Sequence, residues 1–207
     1  MLEKMPRKAR RKHGLLVVIS GPSGVGKSTV VRRLFKIHPE LKMSISSTTR
    51  PPRPGEIHGQ HYYFITQEEF DLRVKQNKFL EWAKVHGCYY GTPRQYIEGE
   101  LDKGEVVVLE VDVQGAASIK RIVQEGNLKA AAVFIFLIPP SVDILAFRLK
   151  KRKTEDEELV NYRLRAAIAE LQVMEKYDYI VVNDKVESAA DKIKAIINVE
   201  KERTLLN

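Results

Sequence analysis

Residues 15–28 constrain the fold more than any other stretch of this 207-residue chain. An apolar run, Leu15-Leu16-Val17-Val18-Ile19, leads into Gly21-Pro22-Ser23-Gly24-Val25-Gly26-Lys27-Ser28, which fits GxxxxGK[ST]. In the order strand, Gly-rich turn, helix start, that pattern makes a phosphate-binding loop. Gly21, Gly24 and Gly26 let the backbone curl so that successive N–H groups converge on an anion. A helix beginning near Lys27 adds the positive end of its dipole. Lys27 brings a mobile positive charge to the outer phosphates, and the Ser28 hydroxyl can ligate Mg²⁺. Gly21, Pro22, Ser23, Gly24, Val25, Gly26, Lys27, Ser28 and Thr29 are the candidate contacts of a nucleoside triphosphate. A Gly-rich turn beside a surface lysine is the plain alternative, and the preceding strand argues against it. The loop does not identify the phosphate acceptor.

Composition narrows the class. Charged residues are 30% and hydrophobic ones 43%, which is enough apolar material for a real core. The longest strongly apolar run, Ala130 to Pro140, is too short to span a bilayer, so no membrane partner is expected. One cysteine, Cys88, leaves no internal disulfide and no cysteine cage for zinc; an inert small side chain is its expected role. His38, His58, His61 and His86 have no metal-site spacing. The basic start runs straight into a short strand, not into a secretory apolar segment, and a cytosolic protein is expected. The net charge of +8 is uneven: residues 1–13 carry six lysines and arginines against Glu3, a net +5, which leaves +3 for the other 194 residues. That tail is predicted to be disordered. It reads either as a nucleic-acid contact or as a solvated extension, and its lack of aromatic residues favours the extension.

The rest of the chain predicts an α/β fold. Short apolar runs suited to strands covered on both faces occur at 15–20, near 43–47, and at 105–111, 132–138 and 178–182. Helical stretches fall at 27–38, 114–125, 141–151, 155–175 and 186–202. This alternation predicts a parallel sheet flanked by helices. Residues 48–96, rich in Pro, Gly and Tyr, break the rhythm and predict a small mixed or antiparallel sheet with one helix near 67–76. A second interruption, over 140–165, predicts a helical lid. The expected organisation is a tail (1–13) and one domain (14–207). The domain would have a core at about 14–43, 97–139 and 166–207, an insertion at about 44–96 and a lid at about 140–165.

Within the insertion, Arg50 and Arg53 lie three apart with prolines stiffening the link. Two guanidinium forks so placed can grip a phosphate monoester, and Tyr62 and Tyr90 can add hydroxyl donors. Taken singly, each has the plainer reading of a surface arginine or a packed tyrosine. Together with a phosphate loop they point to a second phosphate site.

In order along the chain come Ser-Ser-Thr-Thr-Arg-Pro-Pro-Arg-Pro-Gly-Glu (46–56), Tyr-Tyr-Phe (62–64), Phe-Leu-Glu-Trp-Ala (79–83), Tyr-Tyr-Gly-Thr (89–92) and Leu-Glu-Val-Asp-Val-Gln-Gly (109–115). This series resembles guanylate kinase, over about residues 14–200. The resemblance implies the reaction ATP + GMP to ADP + GDP, with dGMP as a further acceptor and Mg²⁺ as cofactor. It also implies a parallel core, a GMP-binding insertion and a lid. Ser46, Arg50, Arg53, Tyr62 and Tyr90 would lie along the GMP phosphate, and Glu81 and Thr92 against guanine. The physics agrees for Glu81, since guanine presents N1–H and its 2-amino group side by side and a carboxylate accepts both. Adenine offers no such pair, and a site built this way can discriminate by roughly 10⁴–10⁵. Asp112 would sit near the 2-amino group. Glu110 would orient a Mg²⁺-bound water or the acceptor phosphate, or simply mark a solvated strand end. Arg148, Arg152 and Arg163 would reach over the transferring group from the lid, and Asn183 would lie near the donor base.

Two other readings compete: a catalytically silent relative that binds phosphorylated peptides, and a phosphate-loop kinase of another small acceptor. The intact Lys27 and Ser28 argue against the first, and the set Glu81, Thr92 and Asp112 against the second. One departure from the family pattern stands out. Lys153 follows Arg152 where the family often has glycine, which removes a hinge from the lid.

Overall fold

The computed structural model describes residues 14–85, 87–128, 130–150 and 157–206. The basic tail, His86 and residues 151–156 of the expected lid, with Arg152 and Lys153, lie outside the described residues.

In chain order the elements are β1 (Leu15–Ser20), α1 (Lys27–Ile37), β2 (Lys42–Met43), β3 (Ser47–Thr48), β4 (Tyr63–Phe64), α2 (Gln67–Lys75), β5 (Phe79–Val85), β6 (Cys88–Pro93), α3 (Arg94–Asp102), β7 (Val106–Glu110), α4 (Val113–Gln124), β8 (Ala131–Ile138), α5 (Val142–Lys150), α6 (Glu157–Leu171), β9 (Tyr179–Val182) and α7 (Val186–Leu206). A 3-10 turn, Met174–Lys176, separates α6 from β9.

The first sheet has the order β2-β7-β1-β8-β9, and every pairing in it is parallel. β1 lies at its centre, buried along its whole length. Alternate side chains of β1 enter two cores. Leu15, Val17 and Ile19 pack with Val30, Val31 and Leu34 of α1 and with Ala190, Ile193 and Ile197 of α7. Leu16 and Val18 face the other way, onto Ile97 and Leu101 of α3 and Ala116 and Ile119 of α4. The predicted parallel sheet with helices on both faces is therefore present. A third, smaller cluster of Leu145, Leu149 and Ala167 joins α5 to α6.

The second sheet runs β4-β3-β6-β5 and is mixed, as expected of this segment. Leu80 of β5 reaches the core beneath α3 and α4, which fastens this sheet to the first. Among the described residues, no helix is long and apolar enough to cross a membrane.

Three local expectations differ from the structure. The strand predicted near 43–47 is two strands in different sheets. The Ser44 amide makes one more bond to the first sheet, at Val108 O (3.2 Å), and the chain then crosses to β3. The helix predicted over 155–175 ends at Leu171, where the backbone tightens into i→i+3 bonds (Gln172 N to Ala169 O, 3.1 Å). Helix α3 was not predicted: its nine residues bury only Ile97 and Leu101, a single i,i+4 pair that is too little for a visible period.

Candidate active site

The parallel strands all end on one side of the first sheet, the side on which open α/β sheets hold their ligands. There β1 turns through the glycine-rich loop into α1. Gly24 (φ 85°) and Gly26 (φ 96°) occupy left-handed conformations that side chains resist. Space is also short. A Cβ on Gly24 would come within 2.7 Å of Leu149 in α5, and one on Gly26 within 2.8 Å of Asn183 Nδ2. No side chain caps the start of α1, and its first turn holds no acidic residue. The helix dipole thus opens onto the loop unanswered by a side chain. Lys27 Nζ folds back along the loop, 2.6 Å from Gly21 O and 3.2 Å from Pro22 O. Ser28 Oγ donates to Glu110 Oε1 at 2.6 Å, which couples the loop to the end of β7. Burial raises the Glu110 carboxyl above its ordinary range, against the opposing pull of the Ser28 bond and the charges of Lys27 and Arg32.

Facing the loop is a wall built by the second sheet. Glu81 on β5 stands in register with Thr92 on β6, and both are buried. The Thr92 hydroxyl donates to Glu81 Oε1. Asp112 caps α4, its Oδ1 accepting from the Gly115 amide at 2.9 Å. A Cβ on Gly115 would stand 3.0 Å from Glu81 Oε2 and 3.2 Å from Asp112 Oδ1, so the two carboxylates close over one spot on α4. Burial, and to a lesser degree the Asp112 charge, push the Glu81 carboxyl from 4.5 up to about 7, with the Thr92 bond opposing.

Between loop and wall lies a cavity of about 720 Å³, within the size range of small-molecule sites. It is lined by most of the predicted residues: Gly21, Ser23, Gly24, Gly26, Lys27, Ser28 and Thr29 on the loop, Ser46, Arg53, Tyr62, Glu81 and Tyr90 on the second sheet and its approach, and Glu110, Asp112 and Arg163. Thr92 lies behind Glu81. Arg50 is set back from the lining: its Nη2 donates to both Glu56 oxygens at 2.9 Å beside the rings of Tyr62 and Phe64, and it also engages Tyr90. The Tyr90 and Tyr62 rings meet edge to face, 5.9 Å apart. Arg148 lies behind the phosphate loop, donating to Val25 O (3.1 Å) and Asn183 O (3.0 Å). The buried Asn183 donates to the same Val25 oxygen at 2.7 Å. Pro22 and Val25 contribute backbone to the loop without lining the cavity.

Two further charged lining residues were missed by sequence reasoning. Arg32, one turn beyond Ser28, has its Nε 3.3 Å from Ser28 O. Glu170, seven residues after Arg163 on α6, accepts a hydrogen bond from the Ser23 amide at 3.0 Å. Their helical spacing from Ser28 and Arg163 was the available signal. Among the described residues, no group of three or more His, Cys, Asp or Glu is placed to hold a metal by itself. The Ser28 hydroxyl beside the Glu110 carboxylate does supply hard oxygen donors at the loop, and these suit Mg²⁺, which keeps most of its ligands as water and phosphate.

The family model for guanylate kinase matches residues 13–200. The chain is 49% identical over 191 residues to a guanylate kinase of Caldanaerobacter subterraneus subsp. tengcongensis, an alignment covering 92% of this chain and 90% of that one. It is 50% identical over 188 residues to a guanylate kinase of Clostridium tetani, covering 91% and 87%. The crystal structure of guanylate kinase from Anaplasma phagocytophilum superposes with a TM-score of 0.76 at 34% identity, over 94% of this chain and 89% of that one.

Proposed function

This chain belongs to the guanylate kinase family, and from that premise we propose that it transfers the γ-phosphoryl group of ATP to GMP, and to dGMP, around the cavity described above. The observation that carries this reading is that the phosphate loop and the paired acids Glu81 and Asp112 open into one cavity. A donor on the loop and a monophosphate on the opposite wall would meet there head on.

The acceptor base fits the wall. Guanine's N1–H and 2-amino group would bond Glu81, with Asp112 at the 2-amino group and Thr92 holding the carboxylate. Such a ligand also relieves the crowding of two acids. Arg53, Tyr62, Tyr90 and Ser46 would receive the GMP phosphate. Arg50 would brace them: its grip on Glu56 and Tyr90 stiffens the loop that carries Arg53. The insertion, about 44–96, is thus assigned to the acceptor.

The donor takes the other side. Loop amides, the α1 dipole and Lys27 would hold the outer phosphates of ATP. Ser28 would ligate Mg²⁺, with Glu110 accepting from a metal-bound water. Mg²⁺ supplies neutralisation of charge on the phosphate oxygens when bound. The GMP phosphate oxygen is itself a competent nucleophile, so in-line transfer needs alignment and charge neutralisation, not a covalent intermediate. Arg163 already faces the cavity and would stabilise the transferring group, together with Arg152 of the lid. Arg148 and Asn183 would serve from behind, by holding the Val25 carbonyl.

A coupled ADP-release assay offering GMP, dGMP, AMP and UMP tests this directly. Turnover with GMP and dGMP and little with AMP or UMP is expected. Turnover with AMP and none with GMP would overturn the assignment.

A further inference from the structure

Two helices hold the phosphate loop, by bonds of opposite kind. From α5, Arg148 donates to the Val25 carbonyl, while Leu145 and Leu149 pack against Gly24. These contacts lie behind the loop and leave its amides alone. From α6, Glu170 does the reverse. Its carboxylate accepts from the Ser23 amide at 3.0 Å, on the cavity side. A negatively charged acceptor thus sits on a loop whose curled amides suit an anion. Arg163 lies two turns earlier on the same face of α6 and lines the same cavity.

We propose that Glu170 is a built-in competitor at the donor site: an internal anion that holds a phosphate-loop amide in the free enzyme and is displaced by the incoming triphosphate. The inference rests on the reading of the loop as the ATP site. A carboxylate and a polyphosphate repel, and Glu170 holds a loop amide, that of Ser23, which a bound phosphate would compete for. Donor affinity is therefore the intrinsic affinity reduced by the fraction of molecules in which Glu170 has withdrawn. Displacement also unties α6 from the loop, so the arrival of ATP frees the helix that carries Arg163 to settle over the phosphates. Arg148 keeps its hold throughout, because phosphate does not compete for a carbonyl.

Calorimetric titration of the full chain with MgATP, magnesium pyrophosphate and GMP tests this on the wild type, Glu170→Gln and Glu170→Ala. Both variants should bind MgATP and pyrophosphate more tightly, by about three- to tenfold, and GMP unchanged. The KM for ATP should fall without a rise in kcat. Glutamine keeps the size and an oxygen acceptor but not the charge, so it separates competition from packing. Unchanged or weaker MgATP binding by a folded Glu170→Gln would overturn the inference, and would mark Glu170 as a support of the loop. Failure of the functional reading looks different: a wild-type chain that neither binds MgATP nor phosphorylates GMP.

Discussion

On the proposed reading, Glu81 must give up its proton before it can accept two hydrogen bonds from guanine. Its carboxyl ionises at about 7, well above the ordinary 4.5, because it is buried and faces Asp112. The sign follows from linkage. The ligand binds the charged form, so GMP affinity should fall as pH drops through 7 and approach a tenfold loss per further unit. The GMP phosphate also titrates, at roughly 6 by analogy with phosphoserine, so the measurement is the difference between wild type and Glu81→Gln, which lacks the carboxyl. Stability runs the other way. The folded state holds this proton more tightly than the unfolded chain, so the contribution is full below 4.5 and is lost as pH rises to about 7. Glu81→Gln should flatten that part of the stability profile. On the loop, Lys27→Ala should cut kcat by about 10² or more while the protein remains folded. Lys27 and Ser28 were legible because the loop pattern is local. Glu81 and Asp112 were legible only through a specific run of motifs. Glu170 was not: its spacing from Arg163 shows only a shared helix face, and its partner on the loop lies 147 positions away.

Elements were legible in proportion to their hydrophobic signal. The apolar runs that became β1, β7, β8 and β9 stood out, as did the long helices, although β9 buries only Val181. α3 and the two-residue strands β2, β3 and β4 have too few buried positions to set a period. The order β2-β7-β1-β8-β9 also escaped prediction, since it depends on which crossover packs on which face. At this scale α5 is the informative element. Leu149 is buried and touches both the cluster that joins α5 to α6 and the space Gly24 leaves open. Leu149→Ala should cost about 2–5 kcal/mol of stability, read from chemical denaturation. It should also raise the KM for ATP more than that for GMP, because the cavity it leaves lies directly under the phosphate loop.

Across the whole molecule, the groups assigned to one reaction sit on separate bodies: the loop, Glu110 and Asp112 on the first sheet, Arg53, Tyr62, Tyr90 and Glu81 with the second, and Arg163 on α6. Bringing them together around two substrates, and keeping water from the phosphoryl group, calls for closure. Small-angle scattering should show a smaller radius of gyration with GMP and a non-hydrolysable ATP analogue than without ligands. Identical curves would exclude such a movement. The crowding of Glu81 and Asp112 at Gly115 adds something beyond affinity. One carboxylate belongs to a strand of the second sheet and the other to a helix of the first, so neither sheet alone would recognise a base. On the proposed reading, fidelity would therefore reside in the seam between α4 and β5. Mild denaturant, or a packing change at Leu80, next to Glu81 in the chain but turned into the core, should blur the choice among purine monophosphates while both sheets are still intact.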